Sequence, residues 1–246
     1  MLQQLIALRL ITPPAVWGKL AGHADFVRSG MRHGESDGWR PWLIKNGGVP
    51  ATGSAEILPT AFVLSPGSLD FAARRFVVGV VAPSVDKVGR RHALLVYQVA
   101  HLRWAARHFE AQASQPQDWL FWLARAVARH VGPQGVAEVQ ALGRTVDALW
   151  RLHAPGVRDL FTDRRQSADA ADRCRVASRA VLDRFAGPSV PDDVAGRLQG
   201  VRHLPWADWP HSLLSSRGDS AFWQQDATGG FVDAAAQLPK LWRAVP

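Results

Sequence analysis

The stretch FVVGVVAPSVDKVGRRHALLVYQV, residues 76–99, decides the fold. It is framed by two β-branched runs, Phe76 to Val81 and Ala93 to Val99, and both are apolar on both faces. A strand with one wet face alternates apolar and polar residues; a strand without alternation belongs inside a sheet that is covered on each side. The connection from Ala82 to His92 is short, so the two strands are expected to be antiparallel neighbours. That connection also gathers Ser84, Asp86, Lys87, Arg90, Arg91 and His92 around Gly89. The question is whether these groups catalyse, bind or only shape a turn.

Working outward, TAFVLS (60–65), bounded by Pro59 and Pro66, reads as a third strand. Ala15 to Gly34 reads as a strand and a loop. SDGWRPWLI (36–44) reads as a short helix with Ser36 or Asp37 as N-cap, Trp39, Trp42 and Leu43 on one face, and Pro41 in the first turn. NGGVPATGS (46–54) is a loop by composition. Three amphipathic helices follow. The first carries Trp119, Leu120, Leu123, Val127 and Val131, the second Val136, Val139, Leu142, Val146 and Leu149, and the third Cys174, Ala177, Val181 and Phe185. HLPWADWPHS (203–212) is expected to be extended, SAFWQQDATGGFVDA (220–234) to be a hairpin turning at Thr228-Gly229-Gly230, and AAQLPKLWRAV (235–245) to close with a short helix. Strands before and after a helical block imply one sheet with helices on both faces. Residues 1–14 read as an extension ending at Pro13-Pro14, and 15–246 as one domain.

Composition limits the function classes. With 246 residues, 47% apolar, 20% charged and eleven tryptophans, the chain can bury a core without disulfides. The one cysteine, Cys174, has no internal partner and reads as a small buried hydrophobe, which favours a reducing compartment. The N-terminus lacks a basic leader region and no run of 18 apolar residues occurs, so the cytoplasm is the expected location. Net charge is +8, but arginines are interleaved with acids and no basic run reaches five residues. A solvated basic surface is the expectation, ahead of nucleic-acid binding.

Catalytic templates fail one by one. Gly18-Lys19 has Pro13 where a phosphate loop needs glycine and Leu20 where it needs a hydroxyl. No Gly-x-Ser-x-Gly elbow exists, and Ser84, Asp86 and His92 come from a single connection, which rarely lets a base bridge nucleophile and acid. No His-Glu-x-x-His or Cys-x-x-Cys occurs, and neither His101 with His108 nor His203 with His211 has a carboxylate at ligand spacing. No catalytic residue, metal site or cofactor is expected.

Three separated pieces, VWGKLAGHADFVRSG (16–30), WRPWL (39–43) and FVLSPGSL (62–69) with VVAPSVDKVGRRHALLV (80–96), resemble the type VI secretion-associated TagF/ImpM family. LPWADWP (204–210) and SAFWQQ (220–225) are similar to its looser later features. Two departures stand out: Ala24 replaces a usual glycine, and His92-Ala93-Leu94 replaces an aromatic-Pro-Leu. The resemblance implies a three-layer α/β/α sandwich with a mainly antiparallel or mixed sheet. It implies a cytoplasmic, non-enzymatic accessory protein of the secretion machine, a post-translational negative regulator acting through a forkhead-associated scaffold protein. The motif positions it marks are Trp17, Gly18, Lys19, Asp25, Phe26, Trp39, Trp42, Pro83, Ser84, Asp86, Gly89 and Arg90, as structural or interface residues. In that reading Asp86 accepts backbone N–H groups, Gly89 supplies a positive φ, and Arg90 pairs with Asp25. A second reading makes the Gly18–Asp25 and Pro83–Arg90 motifs walls of a pocket, in an enzyme binding a small molecule or phospho-ligand, with Ser84, Asp86, Lys87 and Arg90 pointing in.

Overall fold

The computed structural model describes residues 10–46, 59–105, 117–131, 138–155, 168–186, 220–226 and 229–242. Among them, seven strands form one sheet: β1 (Ala15–Gly18), β2 (Val27–Ser29), β3 (Thr60–Leu64), β4 (Phe76–Val85), β5 (Arg91–Ala100), β6 (Ala221–Gln225) and β7 (Phe231–Ala235). Their order is β2-β1-β5-β4-β3-β6-β7, and each neighbouring pair is antiparallel. The class is therefore α/β with an antiparallel sheet, and the 76–99 stretch supplies its two longest, central strands.

Those strands run further than their apolar cores suggest. They stay paired to Val85 opposite Arg91, which leaves only residues 86–90 as the turn. Pro83 is tolerated inside β4 because the β3 ladder ends with Thr60 opposite Val81. Beyond that point β4 has no further β3 partner among the described residues, so the missing N–H breaks no ladder bond there.

Alternation along the strands sorts the core into two clusters. Phe76, Val78, Val80 and Ala82 of β4, with Leu94, Val96 and Ala100 of β5, join one cluster. It is completed by helices α2 (Trp119–Val131), α3 (Val139–His153) and α4 (Ala168–Phe185). Val77 and Val81, with Ala93, Leu95, Tyr97 and Val99, join the other. It is completed by α1 (Glu35–Lys45), a 3-10 turn (Asp70–Ala72) and α5 (Leu238–Leu241). In the middle of this second face, Gly79 has no room for a side chain, since a Cβ would strike the Val96 carbonyl. Phe62 and Tyr97 flank it, and Trp39 packs on them with ring centroids 5.9 and 4.9 Å away.

The helices differ from expectation in informative ways. Helix α1 starts after Gly34, which has φ 82 and offers no side-chain cap, rather than after Ser36 or Asp37. The buried Glu35 instead accepts the N–H of Arg32, in the turn ahead of the helix, at 3.1 Å. Pro41 lies in the helix interior, not its first turn, so the Asp37 carbonyl lacks its helical donor. Helix α2 buries Phe121, Trp122, Ala126 and His130 besides Trp119, Leu120, Leu123 and Val127, because it packs on β4 and also on α3 and α4. Helix α3 buries Leu142, Val146 and Leu149 as its period implies; Val136 lies outside the described residues. On α4 the expected stripe of Cys174, Ala177, Val181 and Phe185 is only half-buried, while Ser178 and Leu182 are fully buried. Cys174 is thus not a core hydrophobe; its sulfur lies 3.8 Å from the His153 ring nitrogens.

The β6–β7 hairpin and the short helix α5 form as read, although Thr228 lies outside the described residues, as do 203–212 and 47–54. The residues just before β1 join the sheet: Leu10 and Ile11 are buried, Ile11 bridges Ala100, and the Thr12 N–H donates to Val99. Gln98 secures this edge from inside β5. Its Nε2 donates to the Thr12 carbonyl at 2.7 Å and its Oε1 accepts the Trp119 indole N–H at 2.6 Å.

Candidate functional site

The site starts from two glycines. Gly18 ends β1 at φ 138, and a Cβ there would collide with the Ala93 carbonyl of β5. Only glycine lets β1 close that tightly, and the approach carries Lys19 to the far end of the β4–β5 hairpin. Gly89, at φ 85 in open space, is required for its backbone shape rather than its size. Its N–H donates to the Asp86 carbonyl at 2.9 Å, and the Asp86 N–H donates to the Arg90 carbonyl at 3.0 Å. This is a three-residue hairpin loop closed by a left-handed glycine.

Both oxygens of the Asp86 carboxylate are engaged. Oδ1 accepts the N–H of Val88 at 3.1 Å and of Arg90 at 2.8 Å. Oδ2 accepts Lys19 Nζ and Arg90 Nε, each at 2.7 Å. The Asp86 side chain is 0% exposed and that of Lys19 8%, whereas Arg90 is 61% exposed. Burial alone pushes the Asp86 pKa up; the hydrogen bonds from Lys19, Arg90 and Val88 outweigh it and hold the carboxyl well below the usual range. A carboxylate so held is an anchor and has no proton to exchange near neutral pH.

The 19–26 loop is tied to the same turn. Arg90 Nη2 donates to the Ala24 carbonyl, and the Lys87 N–H donates to the His23 carbonyl at 2.8 Å. The His23 ring then accepts the Val139 N–H on Nε2 at 3.1 Å, capping α3 with a side chain from another element. One loop therefore joins β1, the β4–β5 turn and a helix start.

An aromatic cluster lies beside the ion pair. Trp17 and Phe26 stack at 5.6 Å, and His92 stands edge-on to both at 5.1 and 4.7 Å. Lys19 Nζ sits over the Phe26 ring at 5.4 Å and Arg40 Cζ at 6.0 Å. Burial lowers the His92 pKa, and the charges of Lys19 and Arg40 lower it further, against a raising bond to the Ala93 carbonyl.

The structure brings Trp17, Gly18, Lys19, Phe26, Asp86, Gly89 and Arg90 together. Arg90 pairs with Asp86 and not with Asp25, whose exposed carboxylate accepts the neighbouring Phe26 N–H at 2.7 Å. The reason is reach: Asp86 and Arg90 flank one tight loop, so their side chains meet without crossing between elements. Pro83 and Ser84 are buried in β4, with Ser84 opposite His92. Since His92 Nδ1 lies 2.7 Å from the Ala93 carbonyl and Asp86 is committed elsewhere, the three do not form a catalytic relay. Trp39 and Trp42 lie apart from the ion pair, on Tyr97 and Phe222.

Two contributors escaped the sequence reading. His23 lies within the 16–30 motif, but nothing in its spacing links it to a helix start 116 residues on. Glu35 accepts the Tyr97 hydroxyl at 2.7 Å, and burial followed by this carboxylate pushes the Tyr97 pKa far above its usual range. The signal for that pair was present: the chain's one tyrosine sits in an apolar strand, where a buried hydroxyl needs a partner. Among the described residues, no three His, Cys, Asp or Glu side chains gather as a metal site, and no helix is long and apolar enough to cross a membrane. An open cavity of about 360 Å³ lies along α4, lined by Asp172, Arg173, Val176, Ala177 and Ala180, away from this site.

An antiparallel α/β domain whose signature hairpin is locked by a buried carboxylate is the class these observations define. The chain belongs to the TagF N-terminal domain family, which is type VI secretion system-associated; the family model matches residues 15–149. No curated protein matches the chain. The crystal structure of PA0076 from Pseudomonas aeruginosa PAO1 is similar over 93% of this chain and 90% of its own, with 19% identity and a TM-score of 0.48.

Proposed function

We propose that the chain is a non-enzymatic, cytoplasmic accessory protein of the type VI secretion system, a post-translational negative regulator that binds a forkhead-associated scaffold protein. Family membership supports the secretion role. The observation that carries the non-enzymatic part is the enclosure of Asp86, whose two oxygens already accept four donors from Lys19, Val88 and Arg90. The most reactive-looking stretch of the sequence thereby serves the fold. We read 15–246 as one domain with the three-layer α/β/α arrangement of the family; the two apolar clusters on opposite sheet faces support that layering.

The test is capture of the host's forkhead-associated scaffold protein by the purified chain, together with secretion assays in a deletion strain. The proposal expects a stable complex and raised secretion on deletion. No complex together with unchanged secretion would overturn it.

A further inference from the structure

We propose that the rim around Phe26 and the β4–β5 turn docks an acidic, Asp/Glu-rich segment of a protein partner. The inference rests on the regulator reading above and adds the chemistry of the contact.

Charge is unevenly placed. Residues 18–45 and 86–92 carry eight Lys and Arg against four Asp and Glu. Two of those four acids, Glu35 and Asp86, are buried and already hold Tyr97 and the Lys19–Arg90 pair. One carboxylate facing two cations leaves local positive charge, and it appears at Arg90, which is mostly exposed. Arg40 lies over the same Phe26 ring as Lys19. Arg28 is exposed on the edge strand β2, directly opposite Trp17, so it projects on the face where Trp17 and Phe26 stack. Lys87 is exposed on the turn, its backbone fixed to His23. Asp25 and Asp37 are the exposed acids of these segments.

The turn backbone under Lys87 and Arg90 is held by the Asp86 bonds, that under Arg28 by pairing with β1 and that under Arg40 by helix α1, so little order is lost when an anion binds. Guanidinium forks suit carboxylates. Nucleic acid fits less well. Single strands need a free aromatic face for base stacking, and Phe26 is stacked on Trp17, edged by His92 and covered by cations.

The probe is a fluorescent decapeptide of alternating Asp and Glu, titrated against wild type, R28E/K87E, and R173E/R179E as a control with the same charge change on α4, whose arginines are exposed. A 20-nucleotide single strand is titrated alongside, and melting curves check the fold. The expected result is salt-sensitive peptide binding, weakened at least about tenfold in R28E/K87E and little changed in R173E/R179E. Equal weakening in both variants, no peptide binding, or tighter binding of the oligonucleotide would each overturn the proposal. The scaffold protein is captured with the same variants. If it binds R28E/K87E as well as wild type, the docking surface fails while the regulator reading stands. If it binds neither wild type nor any variant and secretion is unchanged in the deletion strain, the regulator reading fails instead.

Discussion

In the β4–β5 turn, Asp86 and Gly89 close the loop through Asp86 N–H to Arg90 C=O and Gly89 N–H to Asp86 C=O. In the β6–β7 turn, Asp226 N–H donates to Gly230 C=O and Gly229 N–H to Asp226 C=O, with Gly229 at φ 93. In each, the Asp side chain also accepts the N–H four residues on, at 2.8 and 2.9 Å. The backbone device is the same. The surroundings are not: Asp86 is sealed and bound to two cations, while Asp226 is half-exposed and its turn ends in Gly229-Gly230. A turn motif thus specifies local shape, and distant residues decide whether it becomes an anchor. Lys19, from 67 positions away, reaches the Asp86 carboxylate itself, whereas Arg125, 101 positions from Asp226, donates to the backbone carbonyls of Gln225 and Asp226.

That contrast can be broken from its strongest side first. Asp86→Ala leaves Lys19 buried without its anion and removes the carboxylate's bonds to the Val88 and Arg90 N–H groups, so the melting temperature should fall on the order of 10 °C. Asp226→Ala loses the side-chain bond to the Gly230 N–H at a half-exposed position and should cost less than Asp86→Ala, about 1 kcal/mol by denaturant titration. Comparable losses would erase the distinction. Next, Gly18→Ala pushes a Cβ into the Ala93 carbonyl at an unfavourable φ, and should cost roughly 2–3 kcal/mol. In the turns themselves, Gly89→Ala should cost about 1–2 kcal/mol, because an L-residue resists its φ of 85. Gly230→Ala should cost about 1 kcal/mol, since its new methyl displaces the Asp226 carboxylate that accepts the Gly230 N–H.

Acid distinguishes the same carboxylate. Folding lowers the Asp86 pKa, so its contribution is complete above the ordinary value of 3.8 and is lost as pH falls toward the folded value. The melting-temperature gap between wild type and Asp86→Asn should be flat from neutral pH down to about pH 5 and close below 3.8. A gap that closes near neutral pH would assign the effect to another group.

Much of the fold was legible because its cause is local. The β-branched runs at 76–81 and 93–99 name a central hairpin, and Gly89 marks its turn. The helix periods of α2 and α3 name their buried faces, though not the extra width that α2 gains by packing on both the sheet and its neighbouring helices. What stayed hidden depends on tertiary approach. The Lys19–Asp86 pair, the His23 cap on α3 and the Gln98 link to Thr12 all join residues that no spacing rule connects. Pro41 inside α1 is a further case, where burial of Trp39 and Trp42 outweighs local propensity.

The central claim is that the Lys19–Asp86 pair is a buried structural unit, and a thermal double-mutant cycle of Lys19→Met and Asp86→Asn tests it most directly. The account predicts that each single change lowers the melting temperature sharply and that the double variant melts well above the sum of the two losses, since neither charge is then left buried alone. Losses that simply add would contradict it.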